Sequence, residues 1–134
     1  MYLRRKVDDF LEEWKNETDR NPLIIKGPRQ VGKTESVRRF GQKNYDSVVE
    51  INFVEEPKYK LIIEDGYKAD LIIKNISRID PSKQFIEGKT LIFFDELQEF
   101  PEISTALKFF RMDGRFDVIC SGSMLGIQYK RIES

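Results

Sequence analysis

The chain has 134 residues, with 23 Lys plus Arg against 23 Asp plus Glu, one cysteine and no histidine. That length suits one domain with its own core, and the balanced charge supplies no global field toward nucleic acid or an anionic membrane. The missing histidines exclude His-based triads and His-ligated metals, while a lone cysteine excludes an internal disulfide and a structural zinc.

No apolar stretch approaches the roughly 20 residues of a membrane span. The start, Met-Tyr-Leu-Arg-Arg-Lys, lacks the apolar region of a signal peptide, so a reducing, cytoplasmic setting is expected. Val7, Phe10, Leu11 and Trp14 stand at i, i+3, i+4 and i+7, which predicts a helix over residues 4–18 with that stripe in the core. Asp19, Arg20, Asn21 and Pro22 then turn the chain into the apolar run Leu23, Ile24, Ile25, which has the length and branching of a buried strand. Residues 27–34 read Gly-Pro-Arg-Gln-Val-Gly-Lys-Thr, a complete phosphate-binding loop, and Thr34 opens a helix that Gly41 is expected to stop.

Residues 47–53 are rich in β-branched and aromatic types and read as a second strand. Pro57 fits the first turn of a short helix through Asp65, stopped by Gly66. A further helix over Ala69–Ile79 carries Ile72, Ile76 and Ile79 on one face and ends ahead of Pro81. Leu91, Ile92, Phe93 and Phe94 form an unbroken apolar run, the pattern of a central parallel strand buried on both faces. Pro101 starts a helix with Ile103, Leu107 and Phe110 inward and its end near Gly114; residues 116–120 form the last strand, with Cys120 a small buried thiol. A helix followed by repeated β-α units argues an α/β layered fold with a parallel sheet. The basic clusters Arg4-Arg5-Lys6, Arg38-Arg39 and Lys130-Arg131 read first as solvated helix faces or termini, with contact to a nucleic acid or the nucleotide itself as the alternative.

The loop's residue types carry chemistry. Gly27 and Gly32 let the backbone curl so that successive N–H groups turn onto phosphate oxygens, at a helix N-terminus whose dipole adds to their pull. Pro28 stiffens the start of the loop, Arg29 is solvated or anchors neighbouring acids, and Gln30 and Val31 complete it. Gly27 through Thr34, with Glu35 after them, form the expected nucleotide-binding stretch. Lys33 supplies a full charge for the β- and γ-phosphates, and the Thr34 hydroxyl is placed to hold Mg²⁺, a hard cation that takes oxygen ligands.

Asp95 and Glu96 follow the buried apolar run directly. In a parallel α/β sheet, ligands gather at the carboxyl ends of strands, so Asp95 is expected to face Thr34 and hold Mg²⁺ directly or through water. Glu96 is placed to orient and deprotonate a water attacking the γ-phosphate. At the end of the next strand, Ser121-Gly122-Ser123 reads in two ways: as hydroxyls able to reach the γ-phosphate or that water, Ser123 ahead of Ser121, or as a plain turn.

Residues 24–34, the segment Leu-Ile-Phe-Phe-Asp-Glu-Leu-Gln at 91–98 and Ile-Cys-Ser-Gly-Ser-Met-Leu at 119–125 together resemble the prokaryotic AAA-superfamily ATPases, over nearly the whole chain. The resemblance implies a three-layer α-β-α P-loop NTPase with a mainly parallel sheet, of ASCE/AAA type. It implies that residues 1–134 are a single ATPase domain cut before its last strand and lid, the first domain of a longer multidomain protein. The implied activity is Mg²⁺-dependent ATP binding and hydrolysis, with Lys33, Glu96 and Ser123 catalytic, Ser123 as the sensor 1 residue, and Thr34 and Asp95 on the metal. A protein or DNA client would be reached through a C-terminal domain, with room for an oligomer and no membrane partner. Tyr2, Leu3 and Arg4 would border the adenine, and Arg111 and Arg115 are the internal candidates for an arginine finger acting in trans. The alternatives are a nucleotide-binding switch that does not hydrolyse and a small-molecule kinase; the adjacent acid pair and the lack of an Arg-rich lid segment count against the kinase.

Overall fold

Apolar runs separated by polar turns leave each segment one way to bury itself, against a shared sheet. The computed structural model describes residues 5–27 and 32–123. Four strands, β1 Leu23–Lys26, β2 Ser47–Asn52, β3 Thr90–Asp95 and β4 Asp117–Gly122, lie in the order β1-β4-β3-β2, every neighbouring pair parallel. Four α-helices, α1 Lys6–Lys15, α2 Lys33–Asn44, α3 Ala69–Ile79 and α4 Ile103–Asp113, cover its faces.

All six residues of β3 are buried, because the period-2 alternation of a strand sends side chains into two cores. Leu91 and Phe93 pack with Leu11, Trp14, Val37 and Phe40 beneath α1 and α2. Ile92 and Phe94 pack with Ile72, Ile76, Leu107 and Phe110 beneath α3 and α4. The result is the three-layer arrangement expected from the sequence. Each fully buried Phe or Ile in it contributes about 1.5–3 kcal/mol relative to an exposed one.

The element boundaries show where local signals and tertiary packing disagree. The first helix is shorter than residues 4–18, and Phe10, at the edge of the predicted stripe, stays 40% exposed while Leu11 and Trp14 are fully buried. The Trp14 indole N–H donates to the Asn21 carbonyl at 2.8 Å, tying α1 to the turn before β1. The segment after Pro57 is a 3-10 helix over Pro57–Ile63 rather than an α-helix; its buried residues Tyr59 and Ile62 are three apart, the period that suits 3-10 geometry. Asn75 of α3 is buried and fastens that turn by donating to the Ile62 carbonyl at 3.1 Å and to Asp65 at 3.0 Å. β4 begins at Asp117 and runs on through Gly122, pairing Ser121 with Ile25 and Gly122 with Lys26, so these two residues are strand and not turn.

Gly41 does not stop α2, which continues to Asn44. Its role is close approach: a Cβ there would sit 2.7 Å from Val48 Cγ2 and 3.2 Å from Leu91 Cδ2. The missing side chain lets the helix that carries the phosphate loop lie down on β2 and β3. Gly41→Val is therefore expected to destabilise the fold by about 2 kcal/mol through overpacking, read as a lower urea midpoint with an unchanged slope.

Candidate active site

Parallel strands aim their carboxyl ends at one edge of the sheet, and three of them deliver polar residues there. Lys26 ends β1 beside Gly122 of β4, and Asp95 ends β3 beside Asn52 of β2. Gly27 follows β1, and Gly32 caps α2 in the left-handed region, φ 71° and ψ 28°. Pro28, Arg29, Gln30 and Val31 lie outside the described residues, as do Tyr2, Leu3 and Arg4.

Lys33 and Thr34 open α2 and point into this edge. The Lys33 ammonium is 7% exposed and donates to the Gly27 carbonyl at 3.0 Å, so the loop's two ends are fastened across their own span. The Thr34 hydroxyl donates to Asp95 Oδ2 at 2.8 Å across 61 residues of sequence. Asp95, 4% exposed, also accepts from the Ser121 hydroxyl at 2.6 Å and from the Glu96 N–H at 2.8 Å, both on Oδ1. A carboxylate this buried is kept by its donors, and here they fix its orientation toward the loop.

Glu96 has φ 61° and ψ 46°, a left-handed backbone uncommon for a residue with a side chain and costing about 1–3 kcal/mol. It caps the short 3-10 turn Leu97–Glu99, whose Leu97 is buried in the core under α4. The strained residue is thus clamped between a central strand and an anchored turn. A cavity of about 310 Å³ opens between Gly32, Lys33 and Thr34 on one side and Asp95, Glu96 and Asn52 on the other, with Arg38 and Glu55 at its rim. Asn52 Oδ1 accepts from the Val54 and Glu55 N–H groups at 2.9 and 3.0 Å, shaping the turn that closes that rim. The Arg38 guanidinium is clasped by both carboxylate oxygens of Glu50, at 2.8 and 2.6 Å, and that hydrogen bonding raises its pKa against the opposing effect of burial.

Ser121 and Ser123 separate in role once placed. Ser121 is fully buried and spends its hydroxyl on Asp95, whereas Ser123, 9% exposed, donates its backbone N–H to Gln98 Oε1 at 3.0 Å. That bond fixes the Gln98 amide orientation, and its Nε2 is buried with no partner among the described residues. Sequence reasoning missed Asn52 and Gln98, and read Arg38 first as part of a solvated helix face. Arg38 had a usable signal, since it lies four residues after Thr34 and so on the same helix face.

The two finger candidates stand at the other end of the sheet. Arg111 donates to Asn21 Oδ1 at 2.8 Å, beside a hollow of about 220 Å³ at the start of β1 and β4. Arg115 pairs with Asp113 at 2.9 Å and with Asp70. In the same region Arg20 chelates Asp117 Oδ2 at 3.0 and 2.6 Å, and the Tyr45 hydroxyl donates to that oxygen at 2.5 Å. Burial first, and then this hydrogen bond, push the Tyr45 phenol above its ordinary range. Cys120 is fully buried in β4, and burial likewise pushes its thiol up, away from the reactive thiolate.

Among the described residues no three or more His, Cys, Asp or Glu side chains gather in a way that could hold a metal by themselves. The Thr34 hydroxyl and Asp95 carboxylate are nevertheless hard oxygen donors, 2.8 Å apart, of the kind Mg²⁺ uses together with substrate phosphates. The residues present therefore fit a Mg²⁺-nucleotide. No helix among the described residues is long and apolar enough to cross a membrane.

A parallel sheet of this order, with a glycine-rich segment between β1 and α2 and an acid at the end of β3 bonded to the first turn of α2, has the fold of the P-loop NTPases. Within that class the chain belongs to the AAA domain family, which residues 19–134 match. Membership in that family supports nucleotide binding of the ATPase type. Among solved structures 17 chains match, and one, the structure of C. elegans PCH-2, is similar with a TM-score of 0.56 at 16% identity. The similarity covers 93% of this chain and 38% of that one, so this chain spans well under half of PCH-2's length, and the likeness is one of fold. No curated protein matches the chain.

Proposed function

We propose that this domain binds Mg²⁺-ATP and hydrolyses it, transferring the γ-phosphoryl group to water and using the change to move a partner. The observation that carries the proposal is the bond from Thr34 to Asp95, with Ser121 and the Glu96 N–H on the other Asp95 oxygen. It joins the phosphate loop to the acid pair as one site.

Each residue has a distinct task in this reading. The α2 N-terminus and the Lys33 ammonium bind the phosphates and neutralise their charge, most strongly where charge develops as the γ-phosphoryl leaves. Thr34 and Asp95 would hold Mg²⁺, which when bound draws electron density from the β- and γ-phosphate oxygens. Ser121 keeps Asp95 turned toward Thr34. Glu96 orients a water and takes its proton as the water oxygen bonds to the γ-phosphorus; the bond to the bridging oxygen breaks and ADP leaves. Ser123 is left to hydrogen-bond the γ-phosphate or that water. The client is a protein or DNA, reached through a further domain of a longer cytoplasmic protein that can act as an oligomer, as the family resemblance implies.

Phosphate release from ATP without any added acceptor tests this directly. It should occur with Mg²⁺ and vanish with a chelator. Product appearing only when a small-molecule acceptor is supplied would make the domain a kinase, and ATP bound with no phosphate released in the presence of Mg²⁺ would make it a switch.

A further inference from the structure

The last glycine of the phosphate loop lies against a side chain from the start of α1. A Cβ built on Gly32 would fall 2.8 Å from Arg5 Cζ, 2.9 Å from Nη2 and 3.0 Å from Nε. Three planar atoms at nearly equal distance mean that the guanidinium turns its face to Gly32.

The fold builds this placement. The Arg5 N–H donates to Asp8 Oδ2 at 2.7 Å and its carbonyl accepts from the Asp8 N–H at 3.0 Å, so the residue is held on both sides of its backbone at the start of α1. Leu11 and Trp14 of α1 share a core with Val37 and Phe40 of α2, which fixes the two helices to each other. Arg5, the Lys33 ammonium and the positive end of α2 thus converge on one short stretch of backbone. A guanidinium beside the start of α2 adds its charge to the pull of Lys33 and the helix N-terminus on an anion.

Arg5 faces Gly32 from the start of α1, while Thr34, Asp95 and Glu96 share a cavity with Gly32. We propose that Arg5 is a nucleotide-binding residue acting, beside Gly32, on the phosphates common to ATP and ADP. The proposal rests on the reading that this loop holds a nucleotide. A guanidinium suits the task because it presents several donors in a fixed plane and stays charged.

The test is calorimetric titration of Mg²⁺-ATP and of ADP into the parent chain, Arg5→Gln, Arg5→Lys and Lys33→Ala. Loss of one charge-assisted hydrogen bond predicts that Arg5→Gln weakens both nucleotides alike, by about tenfold to a hundredfold, and that Arg5→Lys recovers part of the loss. The nucleotide-free melting temperature of Arg5→Lys should match the parent, so that an effect on folding is told apart from one on binding. Unchanged affinity in Arg5→Gln, a loss confined to ATP, or tighter binding overturns the assignment of Arg5 while leaving the ATPase reading standing. A parent chain that binds neither nucleotide, or binds no better than Lys33→Ala, overturns that reading and this assignment with it.

Discussion

Glu96→Gln is expected to keep ATP binding within about twofold of the parent and to lower turnover by about 10²–10⁴-fold, the range a positioned general base contributes. The substitution is nearly isosteric and removes the carboxylate that accepts the proton. Several features make this a clean experiment. Glu96 sits at φ 61°, and Gln bears that backbone no worse than Glu, so the strain is unchanged. The neighbouring N–H to Asp95 is main chain and survives the change. Asp95, Thr34 and Ser121 keep their bonds, so the metal-holding pair is untouched. Single-turnover phosphate release together with equilibrium binding separates the two effects. Parent-like turnover in Glu96→Gln would remove this residue from the chemistry, and a loss of binding would show that the carboxylate supports the site rather than the reaction.

The strained backbone at Glu96 bears on how the site works. A left-handed residue between a fully buried strand and a turn anchored by Leu97 has few alternative positions, so its carboxylate is presented from a rigid base. Gln98, two residues on, extends the same turn to the end of β4 through its bond to the Ser123 N–H. The acid pair and the serine at the tip of the neighbouring strand are therefore one mechanical unit, and a displacement of either is passed to the other.

Much of this arrangement was legible because its signals are local. Leu91 to Phe94 announces two-sided burial in four letters, and β3 is buried from Thr90 to Asp95. Three isoleucines and a following proline marked α3, and its bounds are Ala69–Ile79 as read. The convergence of Thr34 and Asp95 followed from one rule about parallel strand ends, and their side chains meet at 2.8 Å. What stayed hidden depends on residues far apart in sequence. Gly41 looked like a helix stop because a glycine after a periodic run usually is one; its reason lies in Val48 and Leu91 pressing on the helix. Ser121 and Ser123 could not be told apart before the register of β4 was known. Arg111 and Arg115, named as candidates for a finger acting on a neighbouring copy, stand at the end of the sheet away from Thr34 and Asp95, a place that depends on how α4 packs. Arg5, read first as part of a solvated basic terminus with nucleotide contact as the alternative, faces Gly32 because α1 and α2 share a core.

Lys33→Ala is expected to weaken nucleotide binding by at least a hundredfold and to abolish measurable turnover. The argument begins with burial. Lys33 is only 7% exposed, so its ammonium has given up much of its hydration, and the Gly27 carbonyl is among the groups that replace it. That state is tolerable at the mouth of a site built to receive an anion, and the phosphates then recover what was lost in hydration. Removing the side chain takes away a full charge in a low-dielectric place, where a charge-assisted bond is worth about 1.5–3 kcal/mol in binding alone and more as charge develops on the leaving phosphate. The nucleotide-free melting temperature of Lys33→Ala reads the side chain's part in folding, and added ATP should no longer shift it. Lys33→Arg completes the test, since it keeps the charge but replaces a compact ammonium by a planar fork. If Lys33→Arg binds ATP as the parent does, charge alone suffices at this position; if it fails like Lys33→Ala, the compact shape of the ammonium is what the loop requires.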